Sequence, residues 1–242
     1  MEYKIGAFFV HGFMGYPTDF GNLSVALEKL NIDTKLIILP GHDKGENPSL
    51  YSWKNWLSYA EERYLEYKEK LDIVYLIGFS MGGTIATYLA NKHGCDKLVL
   101  IAPAFEYFNP IQNIKDIKLA FKRRYFSINK IKAMMKQELG YQNENKIKFK
   151  TYRDFIMLTK YCIKNIGYLD IPIRIYHGEN DELIPLSSSM NALKRFTNQD
   201  KKLDIIPYGR HMLLTGASAK VVESSIAEFL SVTLVKEEAT IS

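Results

Sequence analysis

No stretch of this chain approaches the roughly 18 consecutive apolar residues that a membrane-spanning helix requires. The opening Met1-Glu2-Tyr3-Lys4 leads into only about six apolar residues before Gly12. That run is too short for a secretory signal core and lacks a small-residue cleavage site, so it reads as a strand. Cysteine is scarce: Cys95 and Cys162 are the only two, without framework spacing. Such usage favours reduced thiols in a cytoplasmic protein over a disulfide scaffold. No His, Cys and carboxylate cluster has metal-ligand spacing, and no glycine-rich nucleotide fingerprint appears. The expectation is therefore chemistry without a metal or cofactor, and no nucleic-acid partner. Internal repeats and low-complexity segments are also missing.

What is present suits one α/β domain with a large core. The 242 residues are 47% hydrophobic and 24% charged, a globular rather than a disordered composition. The net charge of +5 is unevenly placed: Lys115–Arg153 holds twelve Lys/Arg against three Asp/Glu, a local +9, leaving −4 elsewhere. The ordinary reading of such a run is a solvated helical surface. Its alternative is attraction to an anionic substrate, or weak contact with an anionic membrane face.

Short apolar runs alternate with helical patterns. Strands are expected at Lys4–Val10, Thr34–Leu39, Ile73–Gly78, Lys97–Ile101, Ile173–Tyr176 and Leu203–Ile206. They read as continuous apolar runs buried on both faces. Helices are expected at Asp19–Leu30, Trp53–Lys70, Met81–His93, Ser187–Phe196 and Ala219–Leu230, with a frayed tail from Lys236 to Ser242. This alternation predicts a mostly parallel sheet with helices on both faces. The rhythm breaks between about Ala104 and Asp170, a lysine- and aromatic-rich stretch of helical character that is too long for a plain loop. It reads as a helical insertion over the carboxyl ends of the strands, dividing the core into 1–103 and 171–242.

The strongest chemical signal is Gly78-Phe79-Ser80-Met81-Gly82, with Gly83 next, at the end of an apolar strand and the start of a helix. A nucleophile on so sharp a turn needs a strained backbone and small neighbours two residues either side, which Gly78 and Gly82 supply. A serine hydroxyl needs a base. Of His11, His42, His93, His177 and His211, only His211 follows the last strand at the carboxyl edge of the sheet. His93 reads as a helix C-terminal residue, His177 as a packing or turn residue, and His11 as a structural residue of its loop. The base needs an acid to hold its tautomer. The turn Gly178-Glu179-Asn180-Asp181-Glu182 offers three carboxylates at the same edge; Asp181 is favoured, with Glu179 and Glu182 left open by spacing. Two backbone N–H groups should form an oxyanion hole: that of Met81, after the nucleophile, and that of Phe13 in His11-Gly12-Phe13-Met14-Gly15.

Val10-His11-Gly12-Phe13-Met14-Gly15, Leu39-Pro40-Gly41-His42, Gly78-Phe79-Ser80-Met81-Gly82-Gly83, Gly178-Glu179-Asn180-Asp181 and Arg210-His211 resemble the bacterial carboxylesterase and monoacylglycerol lipase group of α/β-hydrolases. The resemblance implies the α/β-hydrolase fold with a minimal sheet of about six strands, because the chain starts directly at the strand before His11. It also implies Ser80, Asp181 and His211 as the triad, Phe13 and Met81 as oxyanion donors, and the insertion as a cap shaping the acyl pocket. Arg210 departs from the small residue common before the histidine and is expected near the site entrance. Met14, Phe105, Tyr107, Phe108 and Ile184 are candidate pocket residues, the aromatics being equally consistent with plain cap core. The function implied is hydrolysis of short- or medium-chain acyl esters, monoacylglycerols among them, by a monomer or homodimer. Lysophospholipase, thioesterase or amidase activity on the same triad is the alternative, ahead of a non-catalytic binding protein.

Overall fold

The computed structural model describes residues 3–106 and 149–241. One six-stranded parallel sheet is built from β1 (Ile5–Val10), β2 (Asp33–Leu36), β3 (Ile73–Phe79), β4 (Lys97–Ile101), β5 (Ile173–Gly178) and β6 (Lys201–Ile206). Their order across the sheet is β2-β1-β3-β4-β5-β6. The chain winds one way from β1 to β2 and the other way from β3 onward, so the carboxyl ends of β1 and β3 flank a crevice where a ligand can lodge. Register places Val10 opposite Gly78, bringing the loop after β1 beside the turn after β3. At the other side, Gly178 lies opposite Ile206, so the loops after β5 and β6 also emerge together.

Alternating side chains feed two cores. Phe8, Val10 and Leu76 face α2 (Trp53–Lys68) and α3 (Met81–His93), whereas Ala7, Phe9 and Ile77 face α1 (Leu23–Glu28) and α6 (Ala219–Ile241). Fully burying a side chain such as Phe8 or Phe9 stabilises the fold by about 1.5–3 kcal/mol. Every residue of β1, β3 and β4 is buried, as the apolar runs predict. The outer strands differ from that expectation. β2 alternates exposed and half-buried residues, and in β6 Lys201, Lys202 and Ile205 are exposed and the rest half-buried, because an edge strand has one neighbour; the lysines of β6 also discourage pairing with another chain.

The helix expected over Asp19–Leu30 is two pieces, a 3-10 turn at Pro17–Phe20 and α1. Gly21 separates them at φ 55°, a conformation that only glycine adopts freely. The last helix continues past Leu230 to Ile241, across the tail expected to fray. Within the expected insertion, α4 (Phe149–Asn165) packs against α2 and α3 and sends Phe155, Leu158 and Cys162 into the main core. Tyr107, Phe108 and most of the basic run lie outside the described residues. Helix α5 (Leu186–Leu193) packs beside β5 and β6.

Candidate active site

Ser80 occupies φ 53°, ψ −118°, a backbone region that costs about 1–3 kcal/mol and persists only where its surroundings enforce it. Here they do. The Ser80 N–H donates to Ile101 O at 2.9 Å, and its carbonyl accepts from the N–H groups of Gly83 and Ala104, each at 3.0 Å. A Cβ at Gly78 would lie 2.5 Å from Gly82 O, and one at Gly82 would collide with Val10 O. The glycines are thus dictated by contact with the β1 carboxyl end and the first turn of α3.

In the loop after β1, Gly12 O accepts from Gly15 N at 3.1 Å while Met14 sits at φ 56°. His11 is buried within it. Its Nδ1–H donates to Gly12 O at 2.8 Å and its Nε2 accepts from Leu39 N at 3.0 Å, so both ring nitrogens are committed. Burial and the neighbouring His42 hold its pKa down to about 3, which keeps the ring neutral. The structural reading of His11 fits this arrangement. Among the described residues, the N–H groups of Phe13 and Met81 find no acceptor within the protein. Two free donors flanking a serine can stabilise a developing oxyanion, and the N-terminal end of α3 adds its positive dipole. The Phe13 ring stacks on Phe155 of α4, with centroids 5.0 Å apart.

Among the three carboxylates of the acidic turn, geometry singles out Asp181. Its Oδ2 accepts from His211 Nδ1 at 2.8 Å, and its Oδ1 accepts from the N–H groups of Leu183 and Ile184, both at 2.9 Å. Burial pushes this carboxyl up in pKa, but the His211 bond and charge and the two N–H donors outweigh it and hold it below the usual range. Glu179 instead accepts from Tyr208 N, and Glu182 pairs with the largely exposed Arg210. His211 is buried, and its ring lies 4.9 Å from that of Phe79, the residue before Ser80. Among the described residues no hydrogen bond joins Ser80 Oγ to His211. Such contacts commonly tighten only when substrate binds.

The other histidines are placed as follows. His93 ends α3 and meets Glu61 at 2.6 Å, far from the crevice. His42 packs against Trp56 and is held neutral by burial, with a pKa of about 4. His177 makes a turn hydrogen bond to Ile184 O at 3.1 Å and also lies 3.6 Å from Asp181 Oδ2. Of the candidate pocket residues, Phe105 and Ile184 are buried in the main core cluster. Met14 instead lines a cavity of about 890 Å³ on the outer side of the His211 loop, with Tyr16, Asp19, Arg210 and Met212; Ser80 is not among its walls. Among the described residues no group of His, Cys, Asp and Glu could hold a metal ion, and no helix is long and apolar enough to cross a membrane.

Sequence reasoning missed Asp19. Its only signal is its place three residues after Tyr16, whose N–H bonds its Oδ2 at 3.0 Å in a capping arrangement. Burial pushes its pKa up to about 6, against the pull of that N–H and of His211. Above this pH the native state carries a buried ionised carboxylate that the unfolded chain ionises freely. The penalty is therefore full above about pH 6 and gone below about pH 4. Asp19→Asn is expected to stabilise the protein at neutral pH by about 1–3 kcal/mol, an increment that fades as pH falls from 6 to 4. Urea unfolding of both proteins across that range checks it; a constant difference, or a loss of stability, would contradict it. The acid penalty of the neutral His11 and His42 is common to both proteins and cancels.

Residues 6–217 match the hydrolase family described as serine aminopeptidase, S33. A protein of Mycoplasma pneumoniae that carries the name esterase/lipase 3 is 26% identical over 227 residues, covering 85% of this chain and 79% of the relative. A thermostable monoacylglycerol lipase of Bacillus sp. is 33% identical over 90 residues, 37% of this chain and 36% of that one. In structure, the chain resembles one of two metagenome-derived lipolytic enzymes, LipS and LipT. The TM-score is 0.72 at 14% identity, covering 94% of this chain and 93% of the other. That likeness establishes the α/β-hydrolase fold.

Proposed function

This chain belongs to the α/β-hydrolase family described as serine aminopeptidase, S33, and is an ester-hydrolysing enzyme; on that premise we propose that it is a serine carboxylesterase for short- to medium-chain acyl esters, monoacylglycerols among them. The observation that carries the reading is the Asp181–His211 pair. A carboxylate fixed on one oxygen by two backbone N–H groups offers its other oxygen to Nδ1 at 2.8 Å, leaving Nε2 to serve as a base. His211 takes the proton of Ser80 as Oγ attacks the ester carbonyl, and the N–H groups of Phe13 and Met81 hold the oxyanion. The imidazolium, stabilised by Asp181, then protonates the leaving alcohol. Water enters, is deprotonated by His211, attacks the acyl-enzyme and releases the acid and free Ser80. Every step uses side chains and backbone of this chain, without a cofactor.

In this reading residues 1–103 and 171–242 form the catalytic core in the cytoplasm, and 104–170 form a cap over the acyl pocket. The stacking of Phe155 on Phe13 supports that placement, since it sets α4 against an oxyanion donor.

A series of p-nitrophenyl esters from acetate to palmitate tests the substrate class. The expected kcat/KM peaks between butyrate and octanoate and falls at least about tenfold by palmitate, a few kcal/mol of mismatched chain being ample for such a ratio. Preference for a matched thioester or anilide would overturn the assignment in favour of thioesterase or amidase chemistry. A flat response to chain length would remove the acyl-pocket role of the cap.

A further inference from the structure

We propose that His177 is a positioning residue for Asp181, its proton fixed on Nε2 by Ser189 so that the Asp181–Ile184 turn presents Oδ2 to His211. The proposal rests on the reading of Asp181 as the catalytic acid. His177 is fully buried near the end of β5. Its Nε2 lies 3.1 Å from Ile184 O, and a carbonyl only accepts, so this nitrogen carries the proton. Nδ1 is then an acceptor, and the Ser189 hydroxyl 2.7 Å away donates to it. Nε2 also lies 3.6 Å from Asp181 Oδ2, the oxygen that accepts the hydrogen bond of His211 Nδ1.

The consequence is electrostatic as well as structural. With the proton on Nε2, a donor faces both Ile184 O and the carboxylate. With the proton on Nδ1, a lone pair, a carbonyl and a carboxylate oxygen would converge in a buried site, where unpaired acceptors are costly. The turn would have to move, and with it the N–H groups of Leu183 and Ile184 that fix Oδ1. The charged groups facing His177 are Asp181 and His211. Burial favours its neutral form, against the attraction of Asp181.

Ser189 is itself anchored. Its neighbour Ser188 donates to Pro103 O at 2.6 Å and accepts from the N–H groups of Phe105 and Glu106, each at 2.8 Å. Between them, Ala104 N holds Ser80 O. Two consecutive serines of α5 thus reach the backbone behind the nucleophile on one side and, through His177, the acid turn on the other. A residue that merely filled space beside Asp181 would need neither the defined tautomer nor the anchored hydroxyl.

A double-mutant cycle tests the assignment, read as kcat and KM on a p-nitrophenyl ester, with melting temperatures recorded alongside. His177→Gln is expected to lower kcat by about tenfold to a hundredfold with KM changed less than about twofold, the cost of a slightly misplaced catalytic group. In the Asp181→Asn background the same substitution should lower the residual kcat by less than about twofold, because groups acting as a unit are not additive. Ser189→Ala should lower kcat by roughly threefold to tenfold, and Ser189→Thr, which keeps the hydroxyl, should restore most of it. If His177→Gln does not fold, the Ser189→Ala cycle decides by itself. Equal fold-losses in both backgrounds, a loss carried by KM, or an unchanged kcat in the folded variant would overturn the role of His177. A wild-type rate in Asp181→Asn alone would instead overturn the acid assignment on which it rests.

Discussion

Ser80→Ala is expected to lower kcat for ester hydrolysis by roughly 10⁵–10⁶-fold, about 7–8 kcal/mol of transition-state stabilisation, while leaving the folded structure intact. The size of the loss follows from the route. Without Oγ there is no acyl-enzyme, and what remains is the oxyanion donors acting on a bound ester attacked by water. The fold should survive because the Ser80 side chain carries none of the bonds that hold the elbow. Those run through its backbone, to Ile101 O and from the N–H groups of Gly83 and Ala104. Alanine keeps the Cβ that serine already carries at φ 53°, so the backbone strain is common to both proteins and the melting temperature should stay close to that of wild type. Steady-state kinetics with a sensitive fluorogenic ester measures the loss. A residual rate within tenfold of wild type would mean that another group is the nucleophile.

Asp181→Asn is expected to cost about ten-thousandfold in kcat, the penalty for an imidazole held in the wrong tautomer. The direction can be derived from the hydrogen bonds. Oδ1 is pinned by the N–H groups of Leu183 and Ile184, so the asparagine carbonyl oxygen must occupy that position. The amide NH₂ then takes the place of Oδ2 and points its hydrogens at His211 Nδ1 and towards His177 Nε2. His211 can meet a donor only with a lone pair on Nδ1, which shifts its proton to Nε2. A protonated Nε2 cannot accept from Ser80. Asp181→Ala, lacking the amide, leaves the tautomer free and should be less damaging than the isosteric change. Comparing kcat for the two variants checks the argument; Asp181→Asn within tenfold of wild type would refute it.

How much of this was legible beforehand depends on the range over which each feature is determined. The elbow is local: two glycines, a strand before and a helix after are enough, and the collisions a Cβ would make at Gly78 and Gly82 explain why those residues stand there. The assignment of Asp181 over Glu179 and Glu182 needed a distance, because three carboxylates on one turn are equivalent until the turn is folded and one reaches His211. His177 shows a further limit. A packing or turn role was readable from its position, but its partners Ile184 and Ser189 and its approach to Asp181 emerge only once the turn and α5 are folded against β5. The break at Gly21 depends on a long-range contact: at φ 55°, a Cβ there would clash with Leu214 O, nearly two hundred residues away along the chain. The exposure of the edge strands has a related origin, since an apolar run does not reveal how many neighbours it will have.

The identity of the nucleophile, on which the mechanism depends, is open to direct chemical observation. The folded wild-type chain, treated with a fluorophosphonate and then digested and analysed by mass spectrometry, should carry one adduct, on Ser80, and Ser80→Ala should carry none. Labelling that persists in Ser80→Ala, or an adduct found on any other residue of the wild type, would contradict it.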